Sequence, residues 1–184
     1  MIYCNHRKEV VTLSKLNNIP DKDQCGVYTI INRRTGRKYI GSSTQLKKRA
    51  EVHKREIARG KHNNKLIQQD ILKNDDFDFK IMQIIDESSY LYYDEIRNKM
   101  YLEEYQLIKS GILNGEDLYN LETITVVNGR LKRIKEEQEK LSKRKQEVYS
   151  MLKLSNENLL KEYANNKNFY ESRFLEKEIL KRMN

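Results

Sequence analysis

A pair of short strands around a polar turn, close to the start of the chain, constrains the fold most. Residues 27–31 are all β-branched or aromatic, a composition that favours a strand. The polar run 32–36 predicts a turn, and residues 38–42 return as the second strand. The sequence therefore predicts a β-hairpin, which brings the side chains of Tyr28 and Tyr39 face to face.

The residues after this hairpin predict a small α+β domain over residues 26–127. Apolar spacing predicts a first helix over residues 46–59, with Thr44 as its N-cap and Gly60 at its C-terminal end. Apolar and charged residues then alternate over 77–85, which predicts a third strand. The other predicted elements are a helix over 65–73, a helix over 90–109 that ends at Gly111, and a short last strand over 119–121. We therefore expect a small three-stranded, mainly antiparallel sheet flanked by helices.

Two further segments flank this domain. Residues 1–25 form an N-terminal extension, in which residues 9–16 allow a short strand or a helix. Residues 128–184 contain strong helix formers throughout and no proline. Apolar residues of this tail fall on an imperfect heptad frame, namely Leu131, Ile134, Leu141, Val148, Leu152 and Leu159. The tail is predicted to be one long helix or a helical hairpin with a break near Ser155 and Asn156, and to form a coiled coil through which the chain dimerises.

Positive charge is unevenly distributed along the chain. The net charge is +9, which suggests nucleic acid or an anionic membrane surface as a partner. Residues 33–65 hold twelve bases and two acids (12 − 2 = +10), whereas residues 66–127 hold five bases and thirteen acids (5 − 13 = −8). Because the first basic cluster surrounds the aromatic pair, scattered surface charge explains it poorly.

Several function classes are disfavoured by the sequence. No apolar stretch is long enough to span a bilayer, and the N-terminus lacks the apolar core of a secretory signal. Cys4 and Cys25 are expected to be reduced, and no cysteine–histidine cluster has zinc-ligand spacing. We therefore expect a cytoplasmic protein without a structural zinc module.

The residues near the hairpin can support phosphodiester hydrolysis, which needs an activated water and positive charge for the developing oxyanion. The hydroxyls of Tyr28 and Tyr39 can converge on one water or phosphate. Nearby cations, with Arg37, Lys38 and Arg49 as candidates, are expected to lower a phenol pKa. Arg49 offers a planar fork to phosphate oxygens, and His53 follows one helical turn later. A single glutamate suffices to hold Mg²⁺, and either Glu103 or Glu104 can face inward.

These residues resemble the GIY-YIG nuclease family in order and spacing. Gly26-Val27-Tyr28 is similar to the first motif, with valine in place of the usual isoleucine, and Tyr39-Ile40-Gly41 matches the second. The remaining matching positions are Arg49, His53, His62, Glu104 and the closing segment Tyr119-Asn120-Leu121. The resemblance covers about a hundred residues, and its specificity lies in the ordered set.

The resemblance implies a DNA endonuclease that depends on Mg²⁺ or Mn²⁺. It implies Tyr28 as general base, Arg49 as the group that stabilises the transition state, and Glu104 as the metal ligand. Tyr39 and His53 complete the expected catalytic set. The expected substrate is double-stranded DNA, contacted by Arg37, Lys38, Ser42, Lys48, His62 and Lys65. Among family members, a phage-type homing or restriction-like enzyme, acting in the host cytoplasm, fits best.

Two other function classes remain open at the level of the sequence. One is a catalytically inactive DNA-binding or assembly protein that retains the nuclease fold. The other is a coiled-coil adaptor whose essential part is the tail. The complete candidate set of tyrosines, arginine, histidine and glutamate favours the enzyme.

Overall fold

The computed structural model describes residues 15–73, 75–87, 90, 92–151, 153–154, 156–165 and 169–183. The elements of this part are, in chain order, β1 (Leu16–Asn17), β2 (Gly26–Asn32), β3 (Lys38–Ser43), α1 (Leu46–Ala58), α2 (Lys65–Ile71), β4 (Phe77–Ile84), α3 (Tyr93–Leu113), α4 (Ile124–Met151), α5 (Asn156–Asn165) and α6 (Phe169–Met183). The α+β class and the helical C-terminal region are confirmed. Leu152 of the predicted heptad frame, Ser155 at the predicted helix break and most of residues 9–16 lie outside the described residues.

The sheet has the strand order β1-β4-β2-β3. β2 pairs with β3 and β4, both antiparallel, and the predicted hairpin places Tyr28 opposite Gly41. β1 adds a fourth, parallel strand to the three that the sequence predicts, because Leu16 pairs with Phe77 and Asn17 with Asp78. A short strand was allowed over residues 9–16, but a strand of two residues has no alternating pattern, so its position at Leu16–Asn17 could not be predicted.

The segment after α3 meets the edge of β3 through backbone hydrogen bonds at Lys38 and through the side chain of Asn120. Residues 119–121, all within the described chain, do not form the predicted strand; a single bridge joins Leu118 to Lys38. Asn120 instead accepts a hydrogen bond from the Ile40 amide at 2.8 Å and donates one to the Ile40 carbonyl at 2.9 Å. The amide side chain therefore takes the place of a ladder pair along the edge of β3.

The two faces of the sheet pack against different helices. Tyr28, Ile30 and Phe79 face α1 and α2, and form the main core with Leu46, Ala50, Ile57 and Ile67. Val27 and Ile40 point to the opposite face, because successive side chains of a strand alternate, and pack with Ile108 of α3 and Val127 of α4. The sheet thus lies between two layers of helices.

Two glycines of the hairpin are required by close approach. A Cβ at residue 41 would lie 2.8 Å from the hydroxyl oxygen of Tyr28 and 3.0 Å from the ring of Tyr39. A Cβ at residue 26 would lie 2.1 Å from the carbonyl oxygen of Gln83 on β4. Gly41 therefore makes room for the paired phenols, and Gly26 for the neighbouring strand.

The predicted end of the long helix at Gly111 is wrong. α3 continues to Leu113, and the chain leaves it through Gly115 at a φ of 69°. Gly111 has a packing role instead, since a Cβ there would lie 3.0 Å from the side chain of Leu118.

The C-terminal helices fold back on the rest of the chain. α4 packs on α3 through Val127 and Leu131. The predicted boundary between the α+β domain and the tail, at residue 127, falls inside α4, and the division into domains stays a prediction. Further along, Val148 packs with Leu159, Leu175 and Tyr92 in a second core. The helix break predicted near Ser155 and Asn156 agrees with the end of α4 at Met151 and the start of α5 at Asn156. None of the described helices is both long and apolar enough to cross a bilayer.

Candidate active site

The two hairpin tyrosines lie on the same face of the sheet. Their ring centroids are 6.3 Å apart, and the Tyr28 ring stacks on Phe79 with centroids 4.7 Å apart. Tyr28 is 1% exposed, whereas Tyr39 is partly exposed and lines a pocket. Tyr28 is therefore fixed within the core, and Tyr39 is the phenol that meets the pocket directly.

Arg49 and His53 reach the Tyr28 hydroxyl from α1. Leu46, Ala50 and Ile57 bury one stripe of this helix, which orients the face that carries Arg49 and His53 one turn apart. Arg49 Nε donates a hydrogen bond to the Tyr28 oxygen at 3.1 Å, and His53 Nε2 lies 2.8 Å from the same oxygen. The phenol oxygen thus has a cationic and an imidazole partner.

A chain of hydrogen bonds sets the tautomer of both histidines. The backbone N–H of Asn64 donates to His62 Nδ1 at 3.0 Å, so neutral His62 carries its proton on Nε2. His62 Nε2 lies 2.9 Å from His53 Nδ1, which must then accept, and His53 carries its proton on Nε2. We infer from this order that His53 donates to the Tyr28 oxygen. The phenol oxygen accepts two hydrogen bonds, and its own proton is directed away from both donors.

Both histidines are neutral at neutral pH. Burial, and then the charge of Arg49, lowers the pKa of His53 to about 3. Burial also lowers the pKa of His62, although nearby Glu56 opposes the shift. Neutral rings are what the hydrogen-bond chain requires, because a protonated imidazole has no acceptor nitrogen.

The same histidines form a candidate metal cluster with Glu56, their ligand atoms lying within 4.8 Å of one another. The Asn64 amide argues against this use, because it occupies His62 Nδ1 and leaves the proton on Nε2, the atom that faces Glu56 at 3.5 Å. We interpret the cluster as a proton-ordered relay to Tyr28.

Burial outweighs the nearby cations in setting the pKa of the two phenols. Burial, followed by Tyr39, raises the pKa of Tyr28, and Arg49 lowers it by less. The expectation that cations would lower this pKa overall is therefore wrong for the free protein. Of the three candidates, only Arg49 contacts the phenol; Arg37 pairs with Asp117 at 2.7 Å and Lys38 with Glu116 at 2.9 Å.

Glu104 of α3 faces the hairpin from the other side of the pocket. The Ser42 hydroxyl donates to Glu104 Oε2 at 2.5 Å, whereas Glu103 pairs with Lys99. Only one of the two adjacent glutamates therefore points inward. Burial raises the pKa of Glu104 and the Ser42 hydrogen bond lowers it, while the charge of Glu122 raises it further.

A pocket of about 460 Å³ brings the two sides together. Its lining includes Tyr39, Asn64, Glu104, Tyr105, Asn120, Glu122 and Arg130. Glu122 has no place in the sequence-based prediction; its only signal is an acid two residues after Asn120. Two carboxylates in one roomy pocket fit a hydrated divalent cation, since Mg²⁺ takes one or two carboxylates and keeps several waters. Glu122 also pairs with Arg130 at 3.6 Å, so the ion would share this carboxylate with a guanidinium.

The residues predicted to contact DNA lie in three different settings. Ser42 and His62 belong to the pocket and the relay. Lys48 and Lys65 are exposed, and neither forms an ion pair within the described residues. Lys38 projects to the opposite face of the sheet from Tyr39, where it lines another cavity, and Arg37 stacks over the ring of Tyr119.

A buried polar network supports the closing segment. The Tyr119 hydroxyl donates to Asp70 at 2.7 Å, and Asn32 donates to Tyr119 at 3.0 Å and to Asp75 at 2.8 Å. Arg34 pairs with Asp75 at 2.6 Å. These carboxylates look like ordinary surface charges in the sequence, but in the structure they anchor the segment from which Asn120 reaches β3.

The comparisons with known proteins agree with this geometry. Neither the curated proteins nor the solved structures gave a match to the chain. The family model described as the GIY-YIG catalytic domain matches residues 24–111. The match contains Tyr28, Tyr39, Arg49, His53 and Glu104, and it ends before Asn120 and Glu122. Residues 24–111 of this chain are therefore a GIY-YIG catalytic domain.

Proposed function

We propose that this protein is a divalent-metal-dependent DNA endonuclease that hydrolyses phosphodiester bonds at selected sites. The GIY-YIG domain implies nuclease activity in general and DNA as the substrate. One observation carries the proposal for this chain: Arg49 and His53 both bond the Tyr28 oxygen, while Glu104 faces the same pocket as Tyr39. The pocket lined by Tyr39 and Glu104 is large enough for a phosphate, and Arg49 contacts both Tyr28 and Tyr39.

The metal in this proposal is Mg²⁺ or Mn²⁺. GIY-YIG nucleases are generally metal-dependent. In this chain Glu104 and Glu122 would hold the ion, with Ser42 fixing the Glu104 carboxylate. When bound, the ion supplies positive charge for the oxyanion and the leaving oxygen.

The protein side chains have distinct proposed roles. Arg49 binds a phosphate oxygen of the scissile group and stabilises its added charge. Tyr28 in its phenolate form, whose charge the N–H groups of Arg49 and His53 stabilise, accepts the proton of the attacking water and becomes a neutral phenol. Tyr39, which meets the pocket, positions the water against the phosphate. His62 keeps His53 in the tautomer that donates.

Substrate binding in the proposal depends on exposed cations near the pocket. Lys48 at the start of α1 and Lys65 at the start of α2 are exposed and suited to phosphates of double-stranded DNA. Residues 33–65 supply most of this positive charge. Site selectivity, a phage or mobile-element origin and action in the cytoplasm of the host cell are part of the same proposal.

A nicking assay tests the proposal. Supercoiled plasmid is incubated with the full chain and Mg²⁺ or Mn²⁺, beside Arg49→Ala, Glu104→Ala and the surface control Lys135→Ala. We expect the control to cut at the wild-type rate. We expect each site variant to lose about 10²–10³-fold, the usual cost of removing a group that stabilises the transition-state charge.

The alternative is a DNA-binding protein without catalysis. Plasmid that shifts on a gel but is never nicked with either metal would favour it. Equal nicking by wild type, Arg49→Ala and Glu104→Ala would exclude the proposed site and point to a contaminating nuclease.

A homodimer through the C-terminal helices is proposed as well. Since Leu131, Ile134, Val148 and Leu159 are buried within the chain, the contact would use the exposed leucines of α5 and α6. These are Leu160, which is 47% exposed, and Leu180, which is 54% exposed. Sedimentation of wild type against the double variant Leu160→Glu, Leu180→Glu tests this; a monomeric wild type at tens of micromolar would refute the dimer.

A further inference from the structure

A second cleft lies between α3 and α4, outside the pocket described above. Its volume is about 440 Å³, within the range of ligand pockets at about 300–1,000 Å³. The polar lining consists of Arg97, Asn98, Tyr101, Tyr105, Arg130 and Arg133, with Glu137 at one edge. The cleft thus combines three guanidinium groups with two phenol rings and an amide.

Asn98 is the strongest sign that the cleft receives a ligand. Its side chain is 2% exposed and lines the cleft, yet the amide makes no hydrogen bond to any residue that the structure describes. Among the described residues, Thr29 Oγ1 is the fully enclosed side-chain polar atom without a partner, so the Asn98 amide keeps a narrow opening to the cleft. A ligand in the cleft can bond its donors and its acceptor through this opening.

The charges around the cleft favour an anion. Arg97 pairs with Asp94 at 3.0 Å, and Arg130 bonds the Tyr105 hydroxyl. Arg133 has no acidic partner among the described residues, although it is exposed beside the cleft. One uncompensated guanidinium is therefore available to a phosphate.

The cleft adjoins the candidate catalytic pocket. Tyr105 and Arg130 line both cavities, with Glu104 beside Tyr105 on α3. Tyr101, one turn earlier on the same helix, is 40% exposed and presents its ring to the cleft. A strand that passes Glu104 can therefore extend along α3 into the cleft.

We propose that this cleft binds one unpaired nucleotide of the DNA strand next to the scissile phosphate. Arg133 binds its phosphate, the base stacks on Tyr101, and the Asn98 amide bonds the edge of the base. The inference rests on the proposed function, because the position of the nucleotide follows from the path that the cleaved DNA strand would take past Glu104. A duplex must release this nucleotide from its stack before the cleft can hold it.

Binding measured without cleavage tests the cleft. Fluorescence anisotropy in EDTA compares the full chain with two probes, (dT)12 and a 12-residue abasic strand. We expect Tyr101→Ala to weaken (dT)12 about 10-fold, as loss of base–aromatic stacking does, and to leave the abasic strand unaffected. Tyr101→Phe keeps the ring and should restore binding. Thermal melts monitor whether each variant is folded.

The proposed phosphate contact is tested by removing the charge of Arg133. Arg133→Ala should weaken both probes and reduce the slope of log K against log salt by about 0.7, the value for one phosphate contact on a single strand. Lys135→Ala, on the opposite side of α4 at about 100° per residue, should leave both unchanged. Two results would contradict nucleotide binding in the cleft. One is an equal loss of affinity in Arg133→Ala and Lys135→Ala, and the other is unchanged affinity of Tyr101→Ala for (dT)12.

The two proposals fail in different ways. If wild type cleaves plasmid and Tyr101→Ala binds (dT)12 as wild type does, nucleotide binding in the cleft is excluded and the nuclease proposal stands. Tyr101-dependent binding without cleavage under any metal would keep the cleft and remove the nuclease.

Discussion

At the scale of single residues, one backbone N–H determines the direction of three hydrogen bonds. The Asn64 amide fixes the proton of His62, and through His53 this decides that Tyr28 accepts rather than donates. We therefore propose that His62 acts through His53 as a positioning residue, and its contact with DNA stays a prediction.

His62→Ala should lower kcat by about 10–100-fold and leave KM and its salt dependence nearly unchanged. The reason is that His53 is then free to take the other tautomer and to accept from Tyr28, which removes a donor from the phenolate. His62→Gln should restore part of kcat, because its amide can still donate to His53. Steady-state kinetics at two salt concentrations check this. A raised KM with a shallower salt slope would instead make His62 a phosphate contact.

The pH profile of cleavage should rise across the neutral range. Because burial raises the pKa of Tyr28, the phenolate is a small fraction at pH 7 and grows tenfold with each pH unit below that pKa. We expect log kcat to rise with a slope near one from about pH 6 to 9. The two histidines should add no inflection near pH 6.5, since their pKa values are lowered. A plateau above pH 7 would contradict Tyr28 as the base.

Folding stability should fall as the pH falls below about 6.5. His53 is neutral when folded, with a pKa of about 3, and titrates at its ordinary pKa when unfolded. Between these values the unfolded state binds more protons, so acid favours unfolding, by about 2 kcal/mol for one fully shifted histidine from pH 7 to 5. Denaturant unfolding at both pH values checks this. His53→Gln should show a smaller difference, although it is less stable at pH 7.

At the scale of the elements, the hairpin holds the reactive groups through its lack of a side chain at residue 41. Gly41→Ala should place a methyl group 2.8 Å from the Tyr28 oxygen and displace it from Arg49 and His53. We expect cleavage to fall at least 10²-fold, with a stability loss of about 1–3 kcal/mol for overpacking. Gly129→Ala is the matched control, because nothing lies within 4 Å of its Cβ and alanine favours the helix. Cleavage retained by Gly41→Ala would exclude a fixed phenol pair.

The individual helices and strands also show which parts of the fold could be predicted from the sequence. The hairpin, α1, α2 and β4 were predictable because alternation and helical spacing span several residues in each. Thr44 was expected to cap α1, but Gln45 is the N-cap and makes no side-chain bond there. Glu122, Asn64 and the relay were beyond the sequence, because they depend on loops that meet only in the folded chain. The continuation of α3 past Gly111 depends on Leu118, which packs on it from a later segment.

At the scale of the whole molecule, α4 packs against the GIY-YIG domain. α4 covers Ile108 on α3 through Val127 and Leu131, and Arg130 bonds Tyr105, the neighbour of Glu104. α5 and α6 contribute instead to the separate core around Val148.

Two truncations should therefore behave differently. A chain that ends at Leu154 keeps α4 and should still cut plasmid, with a lower melting temperature because Val148 and Tyr92 lose their cover. A chain that ends at Asn128 loses the cover of Ile108 and should be largely unfolded and inactive. Circular dichroism melts and the nicking assay check both. Full activity of the shorter chain would show that α3 holds Glu104 without α4.

The passage from Asn120 to Ile124 joins the pocket to α4 within a few residues, and Glu122 lies in it. If the tail is exchanged for a DNA-binding module, the two protein sequences cannot be joined within this segment. The chimera would have to keep this chain through at least Ile134, so that α4 still covers α3 before the new sequence begins. Chimeras joined before Glu122 would keep the hairpin and Glu104 but lose the second carboxylate of the pocket.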